Sequence, residues 1–486
     1  MSDPQVSPPV PLSAPEDGSG LRDVLRLALP AALTMLGPML IRFVDALMVS
    51  RLEGLAGPRC LNAQGVAAMT AFSAESLFIG LISVLNTFVG QNLGAGRLER
   101  CGRYAWSALW ASLVPAAALA SLALFAGPIF RLYGHPAYLH SLEVLYFRYM
   151  AVAAFLTLPG SVLETFFFGI QRPGIVFIVS LVSNGVNVVV GYGLIFGAWG
   201  LPRMELEGAA IGAVAAWAVR LVILLAVFLS PGIARQFGTR RSVRPDAGCV
   251  KDLLRVGWPA GVALFNDIVP WTIFQNAIVA FFGEAHLAAT TIAFRYIPLS
   301  FMPAVGIGVA TTALTGRFIG MGRADLARRS THNALRLAMI YMGLCGLAMG
   351  FFGEPMVRFF ITLDASSAGQ QASTAALREQ IIGVGRWVMV CAAVFQLFDA
   401  VGIVYSGALR GAGDTRWPMV VLVTLSWTLV VGGGYAMAWA APSLGSIGPW
   451  MACSVYVVAL GAAMAWRFET GQWEKIRLLS GKGTRT

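Results

Sequence analysis

Stretches of about 20 or more predominantly apolar residues, the length a helix needs to cross a hydrocarbon core roughly 30 Å thick, recur along this chain from end to end. Charged or Gly/Pro-rich breaks divide them into spans near 24–49, 62–90, 104–128, 143–168, 174–198 and 207–230. A second set falls near 254–282, 287–316, 332–361, 382–408, 417–440 and 446–466. Of 486 residues 57% are hydrophobic and only 12% charged, and the mean hydropathy is +0.71, which is too little polar surface to coat a soluble globule of this size. The expected fold is therefore an all-α integral membrane protein with twelve transmembrane helices.

The formal net charge of +11 could suggest nucleic acid, but its placement argues otherwise. Basic residues gather on one side of the expected bilayer: Arg22 and Arg26; Arg97, Arg100 and Arg103; Arg172; Arg235, Arg240, Arg241, Arg244 and Lys251; Arg323, Arg328 and Arg329; Arg410 and Arg416; Lys475, Arg477, Lys482 and Arg485. The opposite loops hold few, among them Arg51, Arg59, Arg131, Arg203 and Arg378. The positive-inside rule then puts both termini in the cytoplasm, with no nucleic-acid partner needed to explain the charge. Residues 1–20 are rich in Pro, Ser and Gly and read as a disordered tail. They lack the features of a cleaved signal peptide, so no removal is expected. Six cysteines stand singly with no metal spacing, so neither a disulfide nor a zinc site is expected.

The chain also resembles itself. RLALPAALTMLGPMLI at Arg26 is echoed by RVGWPAGVALFNDIV at Arg255, VGQNLGAGRLER at Val89 by TGRFIGMGRADLAR at Thr315, and FGIQRPGI at Phe168 by SGALRGAGDTRWPM at Ser406. The three pairs keep their order at an offset of roughly 230 residues, as expected for two six-helix halves related by an axis along the membrane normal. The expected organisation is an N-lobe over 21–230, a basic cytoplasmic linker over 231–250, a C-lobe over 251–467 and a basic tail over 468–486.

Ionisable groups inside such spans are costly, by about 3 kcal/mol on insertion scales, and normally face a cavity or a partner. Asp399 lies about 16 Å of helix before Arg410, near the midplane if Arg410 marks the surface. The segment Arg410–Arg416 then reads as a tight turn, with glycines for bending and arginines at the headgroups. Asp267 follows Asn266 and precedes Pro270, which removes one backbone bond and frees the Asn266 carbonyl beside the acid. Asp45 lies about 28 Å beyond Arg26, and Arg42, three residues earlier, offers an ion pair that would only hold the helix. Arg295 is a further embedded charge, able to pair with Asp267 or Asp399. Phe265, Trp271, Phe274, Phe301 and Met302 supply an aromatic, Met-rich lining suited to bulky organic cations, though plain helix packing also accounts for such residues.

FVDALMVSRL after a proline, GQNLGAG, GWPAGVALFND and FDAVGIVYSGALRGAGDT together resemble the multidrug and toxic compound extrusion (MATE) transporters, in family order over about residues 22–440. The resemblance implies two lobes around a V-shaped cavity and export of organic, cationic amphiphilic compounds against inward flow of protons or sodium ions. It implies coupling roles for Asp45, for Asn187 on the fifth span with Asn184 one turn before, and for Asp267 and Asp399; Asn266 and Arg295, from their places near those two acids, are expected beside the substrate. Asp267 stands where the family usually has Glu, and Gly191 where it usually has a second Asn or Asp. That leaner ligand set favours a proton over sodium as coupling ion. A bacterial inner-membrane location, a monomer in the lipid bilayer, a small-molecule substrate and no cofactor, metal or enzymatic activity are expected. Against an enzyme stand the absence of HExxH, GxSxG and Walker motifs and the position of GAGD at Gly411 in a basic turn between spans, not inside one as in intramembrane aspartyl proteases. A major-facilitator transporter would need an Asp-Arg pair that is missing. A flippase for lipid-linked or polysaccharide cargo in the wider superfamily is the alternative that Arg42 and Arg295 would fit.

Overall fold

A computed structural model describes residues 20–52, 56–367 and 375–478, with side chains undescribed at 38–43 among others. The expected ion pair of Arg42 with Asp45, most of the N-terminal tail, Lys482 and Arg485 lie outside the described residues. The first half runs through α1 (Leu21–Ser50), α2 (Ala56–Ser83), α3 (Leu85–Gly94), α4 (Leu98–Ser121), α5 (Ala126–Arg131), α6 (Ala137–Gly169), α7 (Pro173–Phe196) and α8 (Glu205–Phe228). A short α9 (Pro231–Phe237) leads to α10 (Ala247–Ile273), α11 (Glu284–Gly320), α12 (Ala324–Ser367), α13 (Ala375–Ala412), α14 (Arg416–Leu425), α15 (Gly433–Ala440) and α16 (Ile447–Glu469).

Among the described residues eleven helical segments are long and apolar enough to cross a membrane, and α1, 30 residues long, completes the twelve. Each expected span is present. Several are longer than the hydropathy breaks suggested, because helices carry charged residues such as Arg22, Arg317 and Arg410 beyond the apolar stretch.

Three apolar clusters divide the interior. One is shared, taking residues from Val24, Leu85 and Phe166 in the first half and from Leu314, Ala408 and Phe468 in the second. The other two are separate: Met48, Phe130 and Phe147 belong to the first half, and Phe274, Phe395 and Trp450 to the second. The halves thus share one buried core at the basic end and keep separate cores at the other.

Glycines make the fusion possible. A Cβ on Gly80 of α2 would lie 2.5 Å from the Ala260 carbonyl of α10, and one on Gly306 of α11 would lie 2.5 Å from Ala32 Cα of α1. Small residues at such crossings let backbones meet where lipid offers no hydrophobic drive between helices. The repeated motifs finish the closure. Gln91 of GQNLGAG donates to the Gly411 carbonyl at 3.0 Å and Thr87 to the Arg410 carbonyl at 2.8 Å. In the mirrored crossing Arg317 donates to Gln171 of FGIQRPG.

The Arg410–Arg416 segment differs from its sequence reading. α13 continues through Ala412, so only Gly413 to Thr415 turn. Gly413 takes φ +91° and Asp414 donates back to the Leu409 carbonyl at 2.9 Å, a helix stop that needs a glycine. Gly411 serves packing instead of bending, since a Cβ there would sit 2.5 Å from the Thr312 carbonyl. Asp414 is held by Arg467 of α16 at 2.8 Å.

Candidate functional site

The second half gathers two acids. Asp267 on α10 and Asp399 on α13 lie deep in the fold yet keep accessible surface. Asp399 sits where the separate cluster (Phe395) gives way to the shared one (Ala400), which is mid-depth in the bundle. The two carboxylates are close enough for their charges to act on each other, and Tyr456 of α16 is within electrostatic reach of both. Gln396, one turn before Asp399, is buried and donates to Ser300 Oγ of α11 at 2.8 Å.

Local backbone departures place Asp267. Asn266 donates to Ser426 Oγ at 3.0 Å and accepts from Trp427 Nε1 at 2.8 Å, so both ends of its amide are used in tying α10 to the next strand of helix. That residue was expected beside substrate; in this conformation it is an anchor. Pro270 leaves the Asn266 carbonyl without its helical donor. Past it α10 widens into a π-helical turn over Phe274–Val279, and Ser426–Gly432 between α14 and α15 is π-helical as well. Such turns are common where a helix carries a functional site.

An aromatic box adjoins the acids. Trp271 has ring neighbours Phe274 and Phe294 at 5.8 Å and Trp450 and Tyr456 at 6.5 Å, while Phe395 stacks on Trp450 at 6.4 Å. Trp271 is half-buried and faces the box from α10. Phe274, expected as lining, is fully buried at 0% and backs the wall behind Trp271. Phe265 is 41% exposed, Phe301 and Met302 are half-buried, and Arg295 is exposed. Sequence reading missed Phe294, Phe395, Gln396, Trp450 and Tyr456. Gln396 was findable, since FQLFD puts it one helical turn from Asp399; α16 carries no motif that would have flagged the other two rings.

The first half holds a single acid at its candidate site. Asp45 of α1 is 5% exposed and Asn187 of α7 is 0% exposed. With the Asn187 amide turned so that its nitrogen faces the acid, it donates to Asp45 Oδ1 at 2.8 Å while its oxygen accepts from the Ala213 N–H at 3.3 Å. Asn184 reaches the Gly37 carbonyl at 3.4 Å, a long bond that ties α1 to α7. At Gly191, where a ligand side chain was missed, a Cβ would meet only the Met48 Cε at 3.4 Å, whereas Gly212 of α8 is held small because its Cβ would lie 2.9 Å from the Gly191 Cα. Elsewhere in this half Glu164 pairs with Arg220, and Glu75 accepts from Thr157, both within the bundle.

Two acids in one low-dielectric space repel when both are ionised, so the pair favours a counter-charge, whether a proton, a metal cation or an organic cation. Aromatic faces beside it favour a large cation over a small one. The arrangement can bind and release charge; no nucleophile and base pair is placed for covalent chemistry among the residues gathered here.

The MatE family profile matches residues 30–193 and 259–435, one stretch in each half. A probable multidrug resistance protein NorM of Burkholderia pseudomallei is 30% identical over 453 residues, covering 92% of each chain. Another probable NorM, of Pseudomonas aeruginosa, is 28% identical over 472 residues, covering 94% of this chain and 90% of that one. Among solved structures, a MOP superfamily transporter from Pyrococcus furiosus superposes with a TM-score of 0.82 at 20% identity, over 94% of this chain and 97% of that one.

Proposed function

The chain belongs to the MatE family of multi-pass membrane transporters, whose NorM relatives are multidrug efflux proteins, and on that premise we propose that it exports cationic amphiphilic compounds in exchange for protons or sodium ions. The observation that carries this reading is that Asp267 and Asp399 both keep accessible surface inside the second half beside the aromatic box.

The exchange follows from shared charge. An organic cation drawn to the box stabilises the ionised pair and displaces the proton or sodium ion held there. Transfer of a carboxylate out of water favours its neutral form, so a returning proton in turn weakens the hold on the cation. Rocking of the halves about the fused basic end exposes the cavity to one side at a time, and an inward ion gradient drives outward export. Asp45 with Asn187 forms a second, closed cation or proton site in the first half. The basic end faces the cytoplasm, with both termini there and the protein in the bacterial inner membrane as a monomer.

Efflux of ethidium from proteoliposomes under an imposed pH or sodium gradient tests this. One gradient should drive dye out through the wild type and fail with Asp399→Asn. If neither moves the dye through the wild type, the reading is wrong and lipid-linked or anionic cargo becomes the one to examine.

A further inference from the structure

A cavity of about 750 Å³ opens on the outer surface of α10 where the linker joins it, lined by Pro245, Val250, Lys251, Leu254, Arg255 and Trp258. We propose that it is a binding site for an anionic phospholipid, with the headgroup phosphate at Lys251 and Arg255 and an acyl chain along Leu254 and Trp258.

Helical spacing sorts this surface into two stripes. Lys251 and Arg255, four residues apart, form a basic stripe beside the apolar one of Val250, Leu254 and Trp258. Lys251, Leu254, Arg255 and Trp258 are all exposed, and Leu254 and Trp258 keep 49% and 45% of their surface. The acids of the same helix end are committed elsewhere. Asp252 accepts from Tyr104 of α4 at 2.9 Å. Asp246 caps α10 through the Gly248 and Cys249 N–H groups at 2.8 and 3.3 Å, and lies 3.8 Å from Arg103. Among the described residues neither Lys251 nor Arg255 has an acidic partner. The groove therefore offers two unneutralised cations above an apolar and aromatic floor, charge complementary to a phosphodiester with a tail.

Depth fits the same ligand. Lys251 and Arg255 lie about 6 and 12 Å along the axis from Ala247, and Trp258 about 16 Å. With roughly 5–8 Å of headgroup layer at each face, Lys251 stands within that layer, Arg255 lies just beneath it where its long side chain reaches back to the phosphates, and the tryptophan lies below in the hydrocarbon. Clusters of Lys and Arg at this end of a membrane protein suit anionic headgroups.

The linker end of the groove is held in place. Trp106 Nε1 donates to the Thr239 carbonyl at 2.6 Å, Trp110 Nε1 to the Val243 carbonyl at 2.8 Å, and the Asp246 N–H donates to Ser107 Oγ at 3.0 Å. These bonds fix the linker against α4, so the mouth of the groove at Pro245 and Ala247 is preformed.

The test titrates the delipidated full-length protein with phosphatidylglycerol or phosphatidylcholine and counts bound lipids by native mass spectrometry. The proposal expects the wild type to retain at least about tenfold more phosphatidylglycerol than phosphatidylcholine. In Lys251→Gln/Arg255→Gln that preference should fall below about twofold, and in Trp258→Ala both lipids should weaken together. Arg22→Gln/Arg26→Gln, two exposed cations at the same end, should keep the preference. Equal retention of the two lipids by the wild type, an unchanged preference in Lys251→Gln/Arg255→Gln, or the same loss in Arg22→Gln/Arg26→Gln would each overturn the assignment.

Discussion

Asp45 in the first half and the Asp267–Asp399 pair in the second are all inside the bundle, yet they are held differently. Asp45 of α1 is 5% exposed and satisfied by Asn187 of α7, which in turn accepts from Ala213 of α8 where the α7 and α8 backbones approach at Gly191 and Gly212. Asp267 and Asp399 keep accessible surface, act on each other and adjoin rings. The halves repeat as folds without repeating as sites. In the register set by Arg26 and Arg255, Asp45 corresponds to Phe274 and Asp267 to Pro38. Only the helix crossing is shared: Gly37 with Asn184 in one half, Asn266 with Trp427 in the other. A repeat thus fixes how helices meet, while single differences along it give the two halves different acids in different surroundings.

The strongest challenge to that contrast is to neutralise the acids one at a time. Asp399→Asn and Asp267→Asn should each cut gradient-driven dye efflux by about a hundredfold, roughly 2.7 kcal/mol of barrier, while Asp45→Asn leaves dye affinity within about threefold. Dye-binding fluorescence beside flux separates the two; equal loss of dye affinity in all three variants would erase the distinction between the halves. Next in size is a wedge in the shared core. Gly80→Val forces side-chain atoms against the Ala260 carbonyl and should cost about 1–3 kcal/mol, seen as a lower Tm in detergent.

Trp271→Ala should lower affinity for an organic cation by about tenfold, near 1.4 kcal/mol, and change an uncharged ligand of similar size less. Isothermal titration with a charged and a neutral dye checks this. The smallest effects compare the two crossings. Asn266→Ala removes two good hydrogen bonds and should destabilise by about 1–2 kcal/mol. Asn184→Ala, which loses one bond at 3.4 Å, should cost less than about 0.5 kcal/mol. Chemical denaturation of both variants would contradict the contrast if Asn184→Ala proved the more damaging.

The fold was legible because each span announces itself as an unbroken apolar run, and the repeat because its glycines and arginines mark helix crossings. The acids were legible for the opposite reason, being charges where charge is expensive. What stayed hidden depends on packing between distant segments. Trp450 and Tyr456 join the box only because α16 lies against α13, a neighbour no local pattern reveals. Asn266 looked like a ligand beside an acid, and its commitment to Ser426 and Trp427, some 160 residues later, could not be read from its surroundings. GQNLGAG and GALRGAG were recognisable as motifs, but their meeting at Gln91 and Gly411 is a property of the folded pair.

The most direct test of a charge shared by two tenants is to count what an organic cation displaces when it binds. Purified protein in weakly buffered detergent, with and without radioactive sodium, is titrated with ethidium while proton release and sodium release are followed. Shared charge requires about one proton or one sodium ion to leave per dye bound, and requires Asp399→Asn to lose both dye affinity and release. Tight binding of dye to the wild type with neither ion displaced would mean that cation and coupling ion never compete at Asp267 and Asp399.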